Sequence, residues 1–388
     1  MSYGQTGNDA VAPYTTQGNA SGSQFIVMGE AGTGAIGTVP NNLRNTTLTW
    51  ERSGEYNLGI DFGFYRSRIA GSVELYNRLT TDLIMNRRLP ITTGYGNVDD
   101  NVGSVRNKGI EVTLNTVNIQ SGDFMWRTNF NISYNKNEIV DLEFKEDLGV
   151  HSNNLAGMEG DFNNRWFIGQ PIRINWGYVT EGIWQIADQT EAAHYNARPG
   201  QYRVKNFNPT VDGDADYSMN HHDRIILGKR TPDWIGGMTN TLNYKQFDFS
   251  FNMFFQTGAQ FKCPFYTSFA HESNNHNFNN MKKDYWTPEN PNAKTAQPSN
   301  MGSFRNEDST HTFFSTDFLK VGYITLGYTL PNEILSRLGL SQFRVYGTVQ
   351  NPFTFTNWPG FDPGQGDLNI NPTDFITRNV IFGVNLSF

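Results

Sequence analysis

The chain closes on Asn379-Val380-Ile381-Phe382-Gly383-Val384-Asn385-Leu386-Ser387-Phe388. Counted back from the carboxyl end, Phe388, Leu386, Val384, Phe382 and Val380 share one face, and Ser387, Asn385 and Gly383 share the other. A period of two belongs to a β-strand and not to a helix. One row is large and apolar; the opposite row is small and mostly polar. Such a strand fits either the last strand of a sandwich or the closing strand of a transmembrane barrel, with lipid outside and water inside. The rest of the chain has to separate the two.

The same two-face chemistry recurs upstream. Tyr56, Leu58, Ile60, Phe62 and Phe64 alternate with Asn57, Gly59, Asp61 and Gly63. Ile69, Gly71, Val73 and Leu75 form one row, and Ile110, Val112 and Leu114 another. Trp126, Thr128, Phe130, Ile132 and Tyr134 alternate with Arg127, Asn129, Asn131 and Ser133. The clearest row is Phe247, Phe249, Phe251, Met253 and Phe255 against Asp248, Ser250 and Asn252. Further strands are expected around Gly236–Tyr244, Asp317–Thr329 and Phe343–Phe355. With Ser2–Gly7 and the closing strand, about ten strands are expected, within the range of membrane barrels.

The connections decide between the two folds. Short links are expected at Tyr65–Arg68, Ile119–Asp123, Lys245–Gln246 and Pro331–Ser341. Long ones are expected at Asn8–Gly54, Thr80–Val105, Lys136–Asp233, Thr257–Thr316 and Thr356–Phe375. Short and long alternate strictly, as they do in outer-membrane barrels with short periplasmic turns and long external loops. A sandwich has turn signals every 8–12 residues or so, without that asymmetry. The expected fold is therefore all-β, an antiparallel transmembrane β-barrel with long extracellular loops and a periplasmic C-terminus. Arg165–Ile186, rich in aromatics, breaks the count unless it adds an even number of spanning strands or none; an excursion outside the wall is expected. Trp126 and Tyr134 lie about 26 Å apart along a strand, and a tilt of about 40° turns that into roughly 20 Å of depth, close to a lipid-facing band with an aromatic at each rim.

Composition agrees. Over 388 residues only 37% are hydrophobic while 14% are aromatic, as expected when one face of each strand is apolar and the rims favour aromatics. No apolar run approaches the roughly 18–20 residues of a membrane helix. The net charge of −7, with no basic run, argues against nucleic acid as a partner. Cys263, the single cysteine, leaves no internal disulfide and is read as a passive thiol. Met1–Gly7 has neither a basic nor an apolar leader region, so an exported protein would be represented here by a fragment or a processed piece.

No catalytic motif emerges, and an enzyme is not expected. His221-His222 beside Asp223 would point to opposite faces of an extended segment and so is a poor metal pair. Asp212, Asp214 and Asp216, followed by Asp223, resemble an Asp-rich calcium loop. Thr210 stands in place of a first Asp, Ala215 in place of the turn glycine, and no Glu closes the loop. A bound Ca2+ and a plain solvated acidic loop both fit. Trp166, Trp176, Tyr178 and Trp184 are candidate substrate contacts, because flat aromatic faces suit sugar rings; they suit loop packing equally.

Several stretches resemble the SusC/RagA-type TonB-dependent transporters. They include Trp50-Glu51 through Asn57-Leu58-Gly59-Ile60-Asp61-Phe62-Gly63-Phe64, Thr80-Thr81-Asp82-Leu83-Ile84 and Val105-Arg106-Asn107-Lys108-Gly109-Ile110-Glu111-Val112. Gly177-Tyr178 with Gly182-Ile183-Trp184-Gln185 continues the likeness, as do Tyr285-Trp286-Thr287-Pro288-Glu289-Asn290-Pro291, Leu326-Gly327-Tyr328-Thr329-Leu330-Pro331 and Gln350-Asn351-Pro352-Phe353-Thr354-Phe355-Thr356. The resemblance implies residues 1–388 as the C-terminal part of a barrel of roughly 22 strands, with signal peptide, plug and early strands lying outside this chain. It implies outer-membrane, TonB-dependent import of oligosaccharides, or of oligopeptides in some members, with a SusD-like lipoprotein lid as partner and membrane lipid around the wall. It also implies that Phe382, Val384, Leu386 and Phe388 form the assembly signal read by the barrel-insertion machinery. The alternative of another class is a secreted β-rich carbohydrate-binding module.

Overall fold

In the computed structural model of the chain, residues 1–9, 13–28, 33–150, 153–207, 210–211, 214–263, 284–297, 308–365 and 376–388 are described. Ten strands pair in chain order into one antiparallel sheet. They are β1 (Ser2–Asn8), β2 (Glu51–Phe64), β3 (Ile69–Thr81), β4 (Gly103–Ser121) and β5 (Phe124–Leu142). The sheet continues through β6 (Trp234–Tyr244), β7 (Phe247–Thr257), β8 (Phe318–Thr329), β9 (Gln342–Thr356) and β10 (Asn379–Ser387). β1 and β10 are its two edges and do not pair, so the sheet is an open part of a barrel. The fold class and strand count match the sequence reading.

A meander puts successive connections at alternate ends. The short ones gather at one end, where Gly122 (φ 55°) and Lys245 (φ 54°) take left-handed backbone to reverse the chain within two residues. The long ones gather at the other. Two expectations need correction. β4 and β5 are 19 residues each, running to 103 and 142, because their polar outer thirds keep pairing beyond the apolar stretch. The link at 331–341 is no simple turn: it contains a short helix, Asn332–Leu338, ended by Gly339 in left-handed backbone at φ 68°. Arg165–Ile186 adds no strand to the wall. Its Ile174–Tyr178 segment pairs with Arg224–Lys229, and Thr180–Ile183 pairs with Tyr202–Val204, in separate small sheets.

Residues directly opposite in an antiparallel pair share a face, so register carries the strand pattern across the sheet. Ile60, Val73, Val112, Ile132, Gly236, Phe255, Leu319 and Phe355 are successive partners and form one apolar row. The neighbouring row, Gly59, Glu74, Glu111 and Ser133, is on the polar face. Aromatic pairs bracket the apolar face. Phe124–Tyr244 (6.4 Å) and Phe247–Tyr328 (4.8 Å) lie at the turn end. Tyr134–Trp234 (4.9 Å) and Tyr3–Tyr56 (4.7 Å) lie toward the loop end. Phe124 and Tyr134 are about 33 Å apart along β5; at a tilt of about 40° that is roughly 25 Å of depth, the height of a barrel's lipid-facing band.

Glycines in the wall sit under aromatic rings. Gly71 opposes Phe62, Gly109 opposes Tyr76, Gly236 opposes Phe255, and Gly383 opposes Tyr346. A Cβ on Gly109 would meet the Tyr76 hydroxyl at 2.6 Å and the Tyr134 carbonyl oxygen at 2.1 Å. The ring then fills space that a glycine in a strand leaves empty. Gly109→Val is expected to push Tyr76 off, break its 2.9 Å hydrogen bond to Asn135 Oδ1, and destabilise the sheet by about 1–3 kcal/mol, measured as a lower urea midpoint in vesicles.

Most of the buried apolar side chains lie at the loop end. Leu148, Leu155, Phe167, Ile174 and Trp176 form one cluster; Val105, Ile139 and Leu142 form a second with Trp166 against it. The second joins the ends of β4 and β5 to the excursion, so the loops are packed onto the wall rather than tethered by it.

Candidate functional site: the polar face and its loops

On the polar face, β2 to β5 enclose a concavity of about 460 Å³. Arg78 donates to Glu55 at 2.6 Å, Asn57 Nδ2 donates to Glu74 at 3.3 Å, and Asn137 Nδ2 donates to Asn107 Oδ1 at 3.0 Å. Glu74 and Glu111 are direct cross-strand partners, an arrangement that costs stability unless donors reach them. The surface is thus rich in amide and carboxylate acceptors, suited to hydroxyl donors. Toward the turn end, Arg344 makes a bidentate pair with Asp248, at 2.8 and 2.6 Å, reaching across β8. The crossing is possible because residue 327 is glycine: a Cβ there would meet Asp248 Oδ1 at 2.4 Å.

One loop is fastened to this face by a buried charge pair. Lys320 on β8 bonds to Asp362, whose Oδ1 also accepts the Gly364 N–H at 2.6 Å. Phe318 and Phe254 wall the ammonium, with the Phe318 ring centre 4.4 Å away. Nearby, the Cys263 side chain is buried, close to Gly360 and Trp358.

The candidate substrate aromatics are placed as follows. Trp176 is 3% exposed and stands in the loop core against Phe167 (5.3 Å) and Phe162 (6.1 Å). Tyr178 is 1% exposed, with the Arg224 guanidinium 4.8 Å above its ring. Trp184 is 3% exposed, between Arg203 (4.6 Å) and Tyr195 (5.7 Å). Trp166 is half-buried against the second cluster. All four have ring faces engaged with protein in this structure, and they do not converge on one opening.

Two residues matter that sequence reasoning passed over as motif letters. Trp286 Nε1 donates to Gln185 Oε1 at 2.9 Å, joining two of the resembling stretches that are far apart in sequence. Trp286 also covers Gly200, whose φ of 90° and lack of room for a Cβ (2.7 Å from the indole) require glycine. The spacing of the two motifs carried no sign of the contact.

Of the calcium candidates, Asp212 lies outside the described residues. Asp214 has a described backbone, paired through Val211 in a two-residue hairpin. Asp216 Oδ1 accepts the Ser218 N–H at 2.7 Å. Asp223 is buried, and its two oxygens accept Phe207 N–H (3.0 Å) and Asn220 N–H (2.9 Å), capping the turn that follows. Its carboxylate therefore holds loop backbone. Among the described residues, no three His, Cys, Asp or Glu side chains are grouped to hold a metal. The expectation that His221 and His222 diverge is corrected: the segment is a 3-10 turn, and their rings lie 4.1 Å apart. The closing-strand residues Phe382, Val384, Leu386 and Phe388 stand together on the apolar face, and Phe388 is 93% exposed.

Comparison with known proteins gives this geometry a family. Residues 1–156 match the model of the TonB dependent receptor-like, beta-barrel family. TonB-dependent receptor P3 of Formosa agariphila is 32% identical over 378 residues, covering 95% of this chain. The chain belongs to the TonB-dependent receptor family. This receptor chain is also similar to TonB-dependent receptor SusC of Bacteroides thetaiotaomicron, 29% identical over 351 residues. It spans only about a third of those relatives' lengths, 36% of the first and 32% of the second. Its fold matches that in a structure of the RagAB peptide transporter, with TM-score 0.75 at 23% identity, covering 100% of this chain and 40% of the other. The receptor is of the SusC/RagA type, and its ten strands are barrel wall.

Proposed function

We propose that this chain forms part of the wall and the loop-built mouth of an outer-membrane importer that takes up oligosaccharides with energy delivered through TonB. The observation that carries the proposal is the two-faced sheet: an apolar face bracketed by aromatic belts, backed by a polar face laced with ion pairs. In this reading the long connections are extracellular, the C-terminus is periplasmic, a SusD-like lipoprotein closes over the loops, and ligand passes along the polar face. The amide- and carboxylate-rich concavity supports hydroxylated cargo over apolar cargo. The bare apolar face argues against a water-soluble carbohydrate-binding module, which would cover it with a second layer. A strain lacking the receptor is expected to lose uptake of labelled oligosaccharide and regain it on complementation, with uptake abolished when TonB is deleted. Loss of oligopeptide uptake with oligosaccharide uptake intact would replace the cargo; retention of both would overturn import.

The closing strand has a further place in this reading. Phe388 and the alternate residues before it form an exposed apolar row at the chain end, suited to recognition by the barrel-insertion machinery. Phe388→Ala is expected to lower the amount of receptor in the outer membrane several-fold while leaving uptake per inserted molecule unchanged. Wild-type membrane levels would contradict it.

A further inference from the structure

Just beyond the loop-side aromatic belt, the same face of β4 and β5 changes character. Lys136 follows Tyr134 by two residues and so stands on the apolar side of the sheet, not on the polar face. Its direct partner across the pair is Lys108, and Arg106 opposes Glu138 one step farther on. Glu138 lies beneath the three cations: its carboxylate is 2.9 Å from Lys136, 3.6 Å from Lys108 and 3.7 Å from Arg106. The Glu138 side chain is 15% exposed, while those of Lys108 and Lys136 are 49% and 46% exposed. One carboxylate cannot neutralise three cations, and the surplus charge points outward. The nearby acids are engaged elsewhere: Asp141 and Glu159 flank Lys145, at 3.5 and 3.1 Å, and Asp82 pairs with Arg52 at 3.3 Å.

Like charges placed directly across a strand pair weaken a sheet, so two opposed lysines are not explained by wall stability. Their height is informative. Two residues past Tyr134 is about 6.6 Å along the strand, or roughly 5 Å of depth at the usual tilt, which reaches from the aromatic belt into the headgroup layer. We propose that Arg106, Lys108 and Lys136 form a binding site for the phosphate groups of a phosphorylated glycolipid in the outer leaflet. The site rests on the membrane orientation proposed above. Lipid phosphate would sit over the three cations, with its acyl chains continuing down the apolar face past Ile132 and Phe130. A lid or a soluble cargo would meet the loops and the polar face instead, because this cluster looks away from both.

The test uses receptor purified from its own outer membrane, with bound lipid extracted and quantified by mass spectrometry. In Arg106→Gln/Lys108→Gln/Lys136→Gln, retained phosphorylated glycolipid is expected to fall roughly fivefold for each cation removed, the scale of a surface Lys or Arg at anionic headgroups. Glu138→Gln is expected to raise retention, an opposite sign that a merely structural cluster would not give. Reconstituted into phosphatidylcholine vesicles, the wild type is expected to hold added glycolipid but not its phosphatase-treated form, and inorganic phosphate at matched ionic strength is expected not to displace it. Equal retention by wild type and triple variant, equal retention of treated lipid, or displacement by inorganic phosphate would each overturn the site. Recovery of wild-type receptor outside the membrane fraction would overturn the orientation beneath it, a distinct result.

Discussion

Phe130→Arg is expected to cripple membrane insertion, whereas Asn131→Arg, one residue along β5, is expected to be tolerated. Phe130 is the partner of Leu114 and Met238 on the apolar face, midway between the Phe124 and Tyr134 belts. Asn131 is the partner of Thr113 and Gly237 on the polar face, next to the aqueous side. An arginine facing lipid at the middle of a barrel costs about 2–4 kcal/mol, while lumen positions accept charge. The backbone, the strand and the added group are the same in both variants, so the difference between them isolates the solvent each face meets. Urea unfolding in vesicles reads it directly: the midpoint should fall steeply for Phe130→Arg and move little for Asn131→Arg. Equal shifts would mean that both faces meet the same medium.

Asp362→Ala is the second large effect. It leaves the Lys320 ammonium buried between Phe318 and Phe254 without its carboxylate, and it strips the acceptor from the Gly364 N–H. Breaking a buried pair from one side costs about 3–5 kcal/mol, because an uncompensated charge remains. The loss falls on the attachment of the loop after β9 more than on the wall, so limited proteolysis within 357–365 should accelerate while heat resistance of the sheet persists. Lys320→Met with Asp362→Asn removes both charges and keeps an acceptor for Gly364. That double variant should recover most of the loss, since buried pairs exchanged for neutral groups are often near neutral in stability. Proteolysis unchanged by Asp362→Ala would show that the pair does not hold the loop.

The wall was legible in the sequence because lipid and water impose a period of two that no other feature of a strand obscures. The closing row Val380 to Leu386 and the Phe247 to Phe255 row both read straight into register. Strand ends were less legible: β5 continues through Lys136 and Glu138, where both faces are polar and alternation carries no signal, although pairing persists. The loops were least legible. Composition registers that Trp176, Tyr178 and Trp184 are aromatic but not which neighbour takes each ring face, and here arginines and other rings take them. Nothing in the spacing of His221-His222 distinguishes an extended segment from the turn that Asn220 and Asp223 cap, which brings the rings together. The cation cluster was invisible for a related reason. Arg106, Lys108 and Lys136 are spread over two strands with no basic run, and only register makes them neighbours.

One face of this sheet meets lipid and the other meets water. Spin labels at single cysteines along Trp126–Tyr134, on a background with Cys263 replaced, test it most directly in the receptor embedded in bilayers. Collision with oxygen, which concentrates in lipid, should peak at Trp126, Phe130, Ile132 and Tyr134. Collision with a water-soluble nickel chelate should peak at Arg127, Asn129, Asn131 and Ser133. A profile with no period of two, or nickel access at Phe130 equal to that at Asn131, would mean that the two faces do not meet lipid and water.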